Sequence, residues 1–410
     1  MTEPIVSLTN PEFTENPVCA YARLREQAPL VRIGFPGGPR VWLITRNEEV
    51  KAALSDPRLV VDYSNVPGHQ GPSVADQMVA ALDLPDEFVP YVAANMMLKD
   101  GKDHARQRRL VTPAFTVRRM KALRTRIEEI SAEFLDALAL KGSGDLIEEY
   151  SSPLTGTVIC ELIGIDKADQ PQVRQWMNEY TAPDADIAAS GHSMIEHVKD
   201  LIARRRAEPA QDMVTALVEA RDTDGDRLSE EEIVSVVLTV INNGHHSTSH
   251  FIPNAVLALF DNPDQLALLR AQPEALPHAI GELMRIANPV PTAGPRYATE
   301  DMEFAGVQIS KGDALTGSYL SANYDPRVFA DPERCDVERV LPRGQGHLSY
   351  GAGPHYCPGA ALAQLEAEIA LDHLLLKRDT LEVTVGRDQL RYTEATPGGA
   401  RLLNALPVRL

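Results

Sequence analysis

Cysteine is scarce in this chain. Its 410 residues hold four, Cys19, Cys160, Cys335 and Cys357, and no two stand in a CxxC spacing. Zinc and iron–sulfur centres need clustered thiolates, so neither is expected. Scattered thiols fit a reducing cytoplasm rather than a disulfide framework. Long apolar runs are missing too. The longest, Val234 to Ile241, includes Ser235 and Thr239 and falls far short of the roughly 20 residues that span a bilayer. Met1 to Val6 shows no basic region leading into an apolar core, which predicts no signal peptide and no membrane anchor. Positive charge is also short: 40 Lys and Arg against 58 Asp and Glu leave a net charge of −18. An acidic chain is a poor nucleic-acid binder. The local exception is a basic cluster of Arg106, Arg108, Arg109, Arg118, Arg119 and Lys121. No internal repeat occurs, and no regular alternation of strand and helix, so a doubly wound fold is not expected.

What is present is the composition of a soluble globular protein, 44% hydrophobic and 24% charged. The length would allow two or three average domains, although large single-domain enzymes also reach it. Val41–Thr45 reads as a strand and Asn47–Leu54 as a short helix. Pro67–Pro90 is rich in turn residues and reads as an irregular loop near a pocket. Apolar residues at helical spacing predict helices over Met120–Leu138, Pro153–Leu162 and Ser193–Ala207. Asp222 to Asp226 resembles a calcium loop only superficially: Arg227 sits where its glycine belongs and Ile233 where its final glutamate belongs. Ser229 and Glu232 form a capping box that opens a long helix through Asn242–His250 to Pro253, where a kink is expected. Helices follow over Pro263–Arg270 and Ala275–Ile286, then short strands around Tyr297, Phe304, Val307 and Ile309. A last helix is predicted from Pro358 to Leu376, and a terminal hairpin after it. The pattern is mainly α with small β-sheets.

Cys357 stands in Tyr350-Gly351-Ala352-Gly353-Pro354-His355-Tyr356-Cys357-Pro358-Gly359. Glycines permit a tight turn and close approach to a flat ligand, and proline suits the first position of a helix. A thiolate at a helix N-terminus gains from the dipole, so a lowered pKa is expected. The run suits one thiolate offered to one metal, as an axial ligand to haem iron. A buried structural cysteine and a nucleophile with a distant histidine remain alternatives at this point.

Other segments narrow them. Around Cys357, Gly353 and Gly359 fit the pattern F-x-x-G-x-x-x-C-x-G, with Tyr350 in place of phenylalanine. Glu282-Leu283-Met284-Arg285 places two charges on one helical face, and Asp336-Val337-Glu338-Arg339 follows. In this order the segments resemble the cytochrome P450 family of haem-thiolate monooxygenases, from about Pro11 to the C-terminus. The resemblance implies one domain over residues 1–410, with haem b between a distal oxygen-binding helix and the helix after the cysteine loop. It implies Cys357 as the metal ligand, with Gly359 and Tyr350 beside the cofactor. Arg339 would be the third member of a buried network with Glu282 and Arg285. Candidate propionate contacts are His104, Arg108, Arg296 and His347.

The distal helix departs from the family. In place of A-G-x-(D/E)-T the chain has Asn243-Gly244-His245-His246-Ser247-Thr248. Gly244 would open the groove for dioxygen, while Asn243 would crowd the pocket or hold a polar substrate group. His246 replaces the acid and Ser247 the threonine. Both can relay protons, although Ser247 can instead bond back to the Asn243 carbonyl. Pro289–Ala293 and Ala395–Gly399 would line the pocket, and Met96 and Met97 would join the lid. The function implied is a cytoplasmic, monomeric monooxygenase oxidising a small organic substrate: a macrolide, peptide or terpenoid. Its electrons would come from a ferredoxin and an NAD(P)H-dependent ferredoxin reductase. The altered acid–alcohol pair keeps a second outcome open: coupling, decarboxylation or peroxide-driven turnover. A catalytically silent recruitment module is the remaining rival.

Overall fold

A computed structural model describes residues 5–34, 40–181, 187–223, 225–393 and 402–410. It is 58% helical with small sheets. The helices that position the site are α1 (Val74–Ala81), α2 (Gly101–Val111), α3 (Val117–Ala122), α4 (Arg124–Lys141), α5 (Ser152–Ile163), α6 (Ile187–Ala207), α7 (Glu230–Asp261), α8 (Leu276–Ala287) and α9 (Ala360–Leu371). One five-stranded sheet runs Leu30–Gly34, Arg40–Ile44, Ala314–Gly317, Arg296–Ala298, Leu59–Val60 in spatial order. Antiparallel pairing sets Arg296 opposite Leu315. The expected C-terminal hairpin forms: Glu382–Val383 pairs with Pro407–Arg409, which also pairs with Ser143–Asp145.

The core is organised around α7. Its capping box forms as the sequence predicts, with Ser229 and Glu232 exchanging hydrogen bonds. The helix is 32 residues long, with Pro253, the site of the expected kink, inside it. Proline there removes the N–H that would bond the Ser249 carbonyl. The Ser151 hydroxyl, on the turn leading into α5, donates to that carbonyl at 2.8 Å. A neighbouring segment thus supplies the missing donor, and the helix pattern survives. α7 packs against α5, α8 and α9.

Three other expectations change. The segment 67–90 is not wholly irregular, since Ser73 and Asp76 cap α1. Met120–Leu138 is two helices that break at Leu123. The last helix begins at Ala360 with Gly359 as its N-cap, so Pro358 lies in the preceding turn. Ala395–Gly399 lies outside the described residues. Among the described residues no helix is long and apolar enough to cross a membrane.

Candidate active site

Glu282, Arg285 and Arg339 meet as the sequence predicts. Arg285 Nη2 and Nε donate to the two Glu282 oxygens at 2.7 Å each. Arg339 Nε donates to both at 3.1 Å. Arg285 also reaches the carbonyls of Asn323 (2.8 Å), Pro332 (2.7 Å) and Arg334 (3.2 Å). Burial raises the Glu282 pKa, but its bonds to Arg285, Asp336 and Arg339 outweigh this and hold it low. The network reaches the cysteine loop through residues that sequence reading missed. Asn323 donates to Ser349 Oγ at 2.9 Å and accepts from the Leu348 amide at 2.8 Å. Ser349 Oγ donates to the Met284 carbonyl on α8 at 2.8 Å. Tyr350 follows, and its carbonyl accepts from the Cys357 amide at 2.9 Å. A buried charge cluster is thereby tied to the strand of chain that carries the sulfur.

The loop itself turns at Gly351 and Gly353, with φ of 73° and 69°, the left-handed region that favours glycine. A Cβ at Gly353 would stand 2.5 Å from the Leu54 carbonyl oxygen. At Gly359 it would meet only the Cys357 Sγ, at 3.9 Å, so the protein leaves the space beside the sulfur open. The expected fall in the thiol's pKa does not occur. Burial raises Cys357, and the amides of Gly359 and Ala360 with Arg108 offset that only in part. A thiol of this kind ionises when it binds a metal. Cys160 and Cys335 are buried and pushed up to about 12 by burial, as inert core thiols are.

His104 and Arg108 share one face of α2, and Arg296 and His355 stand near them. The rings of His104 and His355 lie 4.0 Å apart. Burial lowers both histidines, His355 to about 3, and the charges of Arg108 and Arg296 lower them further. Among the described residues neither Arg108 nor Arg296 makes an ion pair. Asp100 acts on His104 and Arg296 without an ion pair, and two partly buried guanidinium groups left unpaired are costly unless a ligand supplies negative charge. The residues therefore fit a cofactor with carboxylates and one axial thiolate. His355 was missed in the sequence, although it stands two residues before the cysteine. His347 lies elsewhere: burial and Arg285 push it down to about 4, and its Nδ1 accepts from the Ser349 amide. Tyr350 Oη bonds neither the sulfur nor the loop. It is buried without a partner among the described residues. Glu366 on α9 was also missed. It is fully buried, neither carboxyl oxygen has a partner among the described residues, and burial raises its pKa far above 4.5.

The distal set divides by face. Gly244 does not open a groove: a Cβ there would strike Ile159 of α5 at 2.7 Å, so its role is close helix packing. Thr248, one turn on from Gly244, is buried rather than presented with Ser247. His245 is satisfied against α5, with Nδ1 2.8 Å from Thr155 Oγ1. Asn243 and Ser247 share another side of the helix. Ser247 donates to the Asn243 carbonyl at 3.1 Å, and the Asn243 amide reaches the Met97 sulfur at 3.5 Å. Met97, Met78 and Leu82 are exposed apolar side chains of the lid region. The basic cluster also divides. Arg106 pairs with Asp226 and Glu232, and Arg109 with Asp222, so these two arginines tie α2 to the turn before α7. The same pairing occupies Asp222 and Asp226 of the calcium-like turn.

The cytochrome P450 family model matches residues 185–395. Cytochrome P450 107B1 of Saccharopolyspora erythraea is 41% identical over 392 residues, 95% of this chain and 94% of that protein. The 6-deoxyerythronolide B hydroxylase of the same organism is 37% identical, covering 95% of each chain. The solved structure of the bacillaene polyketide synthase cytochrome P450 PksS of Bacillus subtilis superposes with a TM-score of 0.87 at 32% identity, covering 99% of this chain and 100% of that one. The chain belongs to the cytochrome P450 family: it is an oxidoreductase, a monooxygenase that works with haem iron and depends on a redox partner for its electrons.

Proposed function

We propose that residues 1–410 form one domain that binds haem b through Cys357 and oxidises a large, mainly apolar secondary metabolite of macrolide or polyketide type. The observation that carries the reading is the pair of guanidinium groups of Arg108 and Arg296, set beside His104 and His355 near Cys357, with Asp100 acting on Arg296 and His104 but neither arginine in an ion pair among the described residues. Those four side chains would hold the two propionates. When bound, the haem supplies dioxygen activation, with electron push from the thiolate. The protein's own tasks are to fix the sulfur through the Glu282 network, to shape the pocket and to deliver protons. The exposed Met78, Leu82 and Met97 give the lid region an apolar surface suited to such a substrate, and Val290 adds to it from the pocket-lining stretch. The relatives named for 6-deoxyerythronolide B and for bacillaene polyketide synthesis support that class.

The electron donor in this reading is an acidic ferredoxin, reduced by an NAD(P)H-dependent reductase in the cytoplasm, and the enzyme acts as a monomer. Arg118, Arg119 and Lys121 on α3 make no ion pair among the described residues, and α3 packs against α9, the helix after the cysteine. Val117 and Tyr356 are exposed there as well. Such a face suits a ferredoxin better than the arginines consumed by Asp222, Asp226 and Glu232. The bond from Ser247 to the Asn243 carbonyl favours a second outcome, oxidation without oxygen insertion, because that hydroxyl is already donated.

The test is the carbon monoxide spectrum of the reduced protein. A strongly red-shifted thiolate–carbonyl band, lost in Cys357→Ala, is expected. A band typical of histidine-ligated haem would overturn the reading. Labelled dioxygen then separates the outcomes, since label in the product means insertion.

A further inference from the structure

We propose that Asn242, His246 and His250 form a hydrated proton-delivery stripe along α7, with His250 as its unrecognised second imidazole, in place of the acid–alcohol pair. The proposal rests on reading α7 as the distal helix. The three residues stand at i, i+4 and i+8. At about 100° per residue, His246 and His250 turn toward the direction of Asn243 and Ser247, away from Gly244 and Thr248 on the α5 side. The rings of His246 and His250 meet edge to face, with centroids 4.7 Å apart and planes at 73°.

Their hydrogen bonding sets them apart. Asn242 Oδ1 and His250 Nδ1 are buried with no partner among the described residues. The ring nitrogens of His246 have no hydrogen-bond partner there either. His245, the adjacent residue, shows what a structural histidine looks like in this helix, with Nδ1 2.8 Å from Thr155 Oγ1 and Nε2 3.4 Å from Ser152 Oγ. Buried polar atoms are nearly always paired with protein or with ordered water. Unpaired groups on successive turns of one face therefore call for a short file of water beside the two rings.

An imidazole takes a proton on one nitrogen and releases one from the other. The transfer moves no electrons. It leaves the ring as the other tautomer, which a second exchange with water resets. The family reaction converts RH, dioxygen, two electrons and two protons into ROH and water, with the electrons from the redox partner, so a proton route into the distal pocket is required. Burial lowers the pKa of both rings, that of His250 to about 3, so both rest neutral and pass a proton from one nitrogen to the other without resting as imidazolium. Ser247 donates its own hydrogen to the Asn243 carbonyl, so the proton route does not run through that hydroxyl.

The holoenzyme tests this, reduced by NADPH through a plant-type ferredoxin and its reductase. His246→Phe and His250→Phe are expected to slow dioxygen-dependent NADPH oxidation by at least about tenfold, the low end of what lost acid–base assistance costs. Anaerobic reduction, read as formation of the thiolate–carbonyl band, should keep its wild-type rate. His246→Asp, which restores a carboxylic acid, should recover part of the aerobic rate that His246→Phe loses. A high-resolution crystal structure should show ordered water bonded to Asn242 Oδ1 and His250 Nδ1. Phenylalanine variants that oxidise NADPH at the wild-type rate would overturn the proposal, as would side chains bonded directly to protein with no water. Absence of the thiolate–carbonyl band in the wild type would instead overturn the haem-thiolate reading.

Discussion

Arg285 offers the sharpest test of how the cysteine loop is held. Its side chain is 1% exposed, that of Glu282 4%, and that of Arg339 9%. Arg285→Ala removes two bonds to Glu282 and three to the backbone of the segment leading to the loop. Breaking a buried pair by removing one partner costs about 3–5 kcal/mol, because the other charge stays buried. Unfolding entropy of about 2.1 cal/mol/K per residue scales to roughly 0.9 kcal/mol/K for a chain of this length, so the expected loss is about 3–6 °C in Tm. Arg339→Ala should cost less, since Arg285 still neutralises Glu282. Arg285→Lys keeps the charge but not the fork and should fall between them. Because the network leads through Asn323 and Ser349 to Tyr350, Arg285→Ala should also lower haem content, read from the thiolate–carbonyl band. The reasoning fails if Arg285→Ala keeps wild-type Tm and haem content, or if Arg339→Ala proves the more damaging.

Three further outcomes follow from local geometry. Gly353→Ala should destabilise the fold by more than about 1–2 kcal/mol, since it adds a clash with the Leu54 carbonyl to the left-handed backbone cost. Gly359→Ala should leave apoprotein stability unchanged in chemical denaturation but weaken haem retention, because a Cβ there meets only the sulfur. Ser151→Ala orphans the Ser249 carbonyl and should cost about 1–3 kcal/mol. In a Pro253→Ala background the restored N–H takes that carbonyl, so a double-mutant cycle should show the penalty shrinking. Glu366 has a folded pKa raised above its ordinary 4.5. Its stabilising effect is therefore complete below that value and is lost as pH rises through the folded pKa. Glu366→Gln should flatten the decline of Tm with rising pH above 4.5, and an unchanged slope would count against a neutral buried acid.

Much of this protein was legible in the sequence because the signals are local. The capping box at Ser229 and Glu232, the E-x-x-R pair and the glycine-flanked cysteine act within a turn or two of chain, so spacing alone displays them. The order of those motifs added the family and hence the fold. What tertiary structure decided is which neighbour each residue meets. Pro253 marks a missing donor in the sequence, and only the fold shows Ser151 supplying one from another segment. Gly244 looked like a groove but packs on Ile159. His347 and His355 are both histidines of one loop, and only the chain path separates the one beside Arg285 from the one stacked on His104. Arg106 and Arg109 read as free cations in a run whose carboxylates lie more than a hundred residues away in the sequence. Burial, which no spacing reveals, reversed the expected shift of Cys357 and left Asn242, His250, Tyr350 and Glu366 with polar atoms that the described residues do not satisfy.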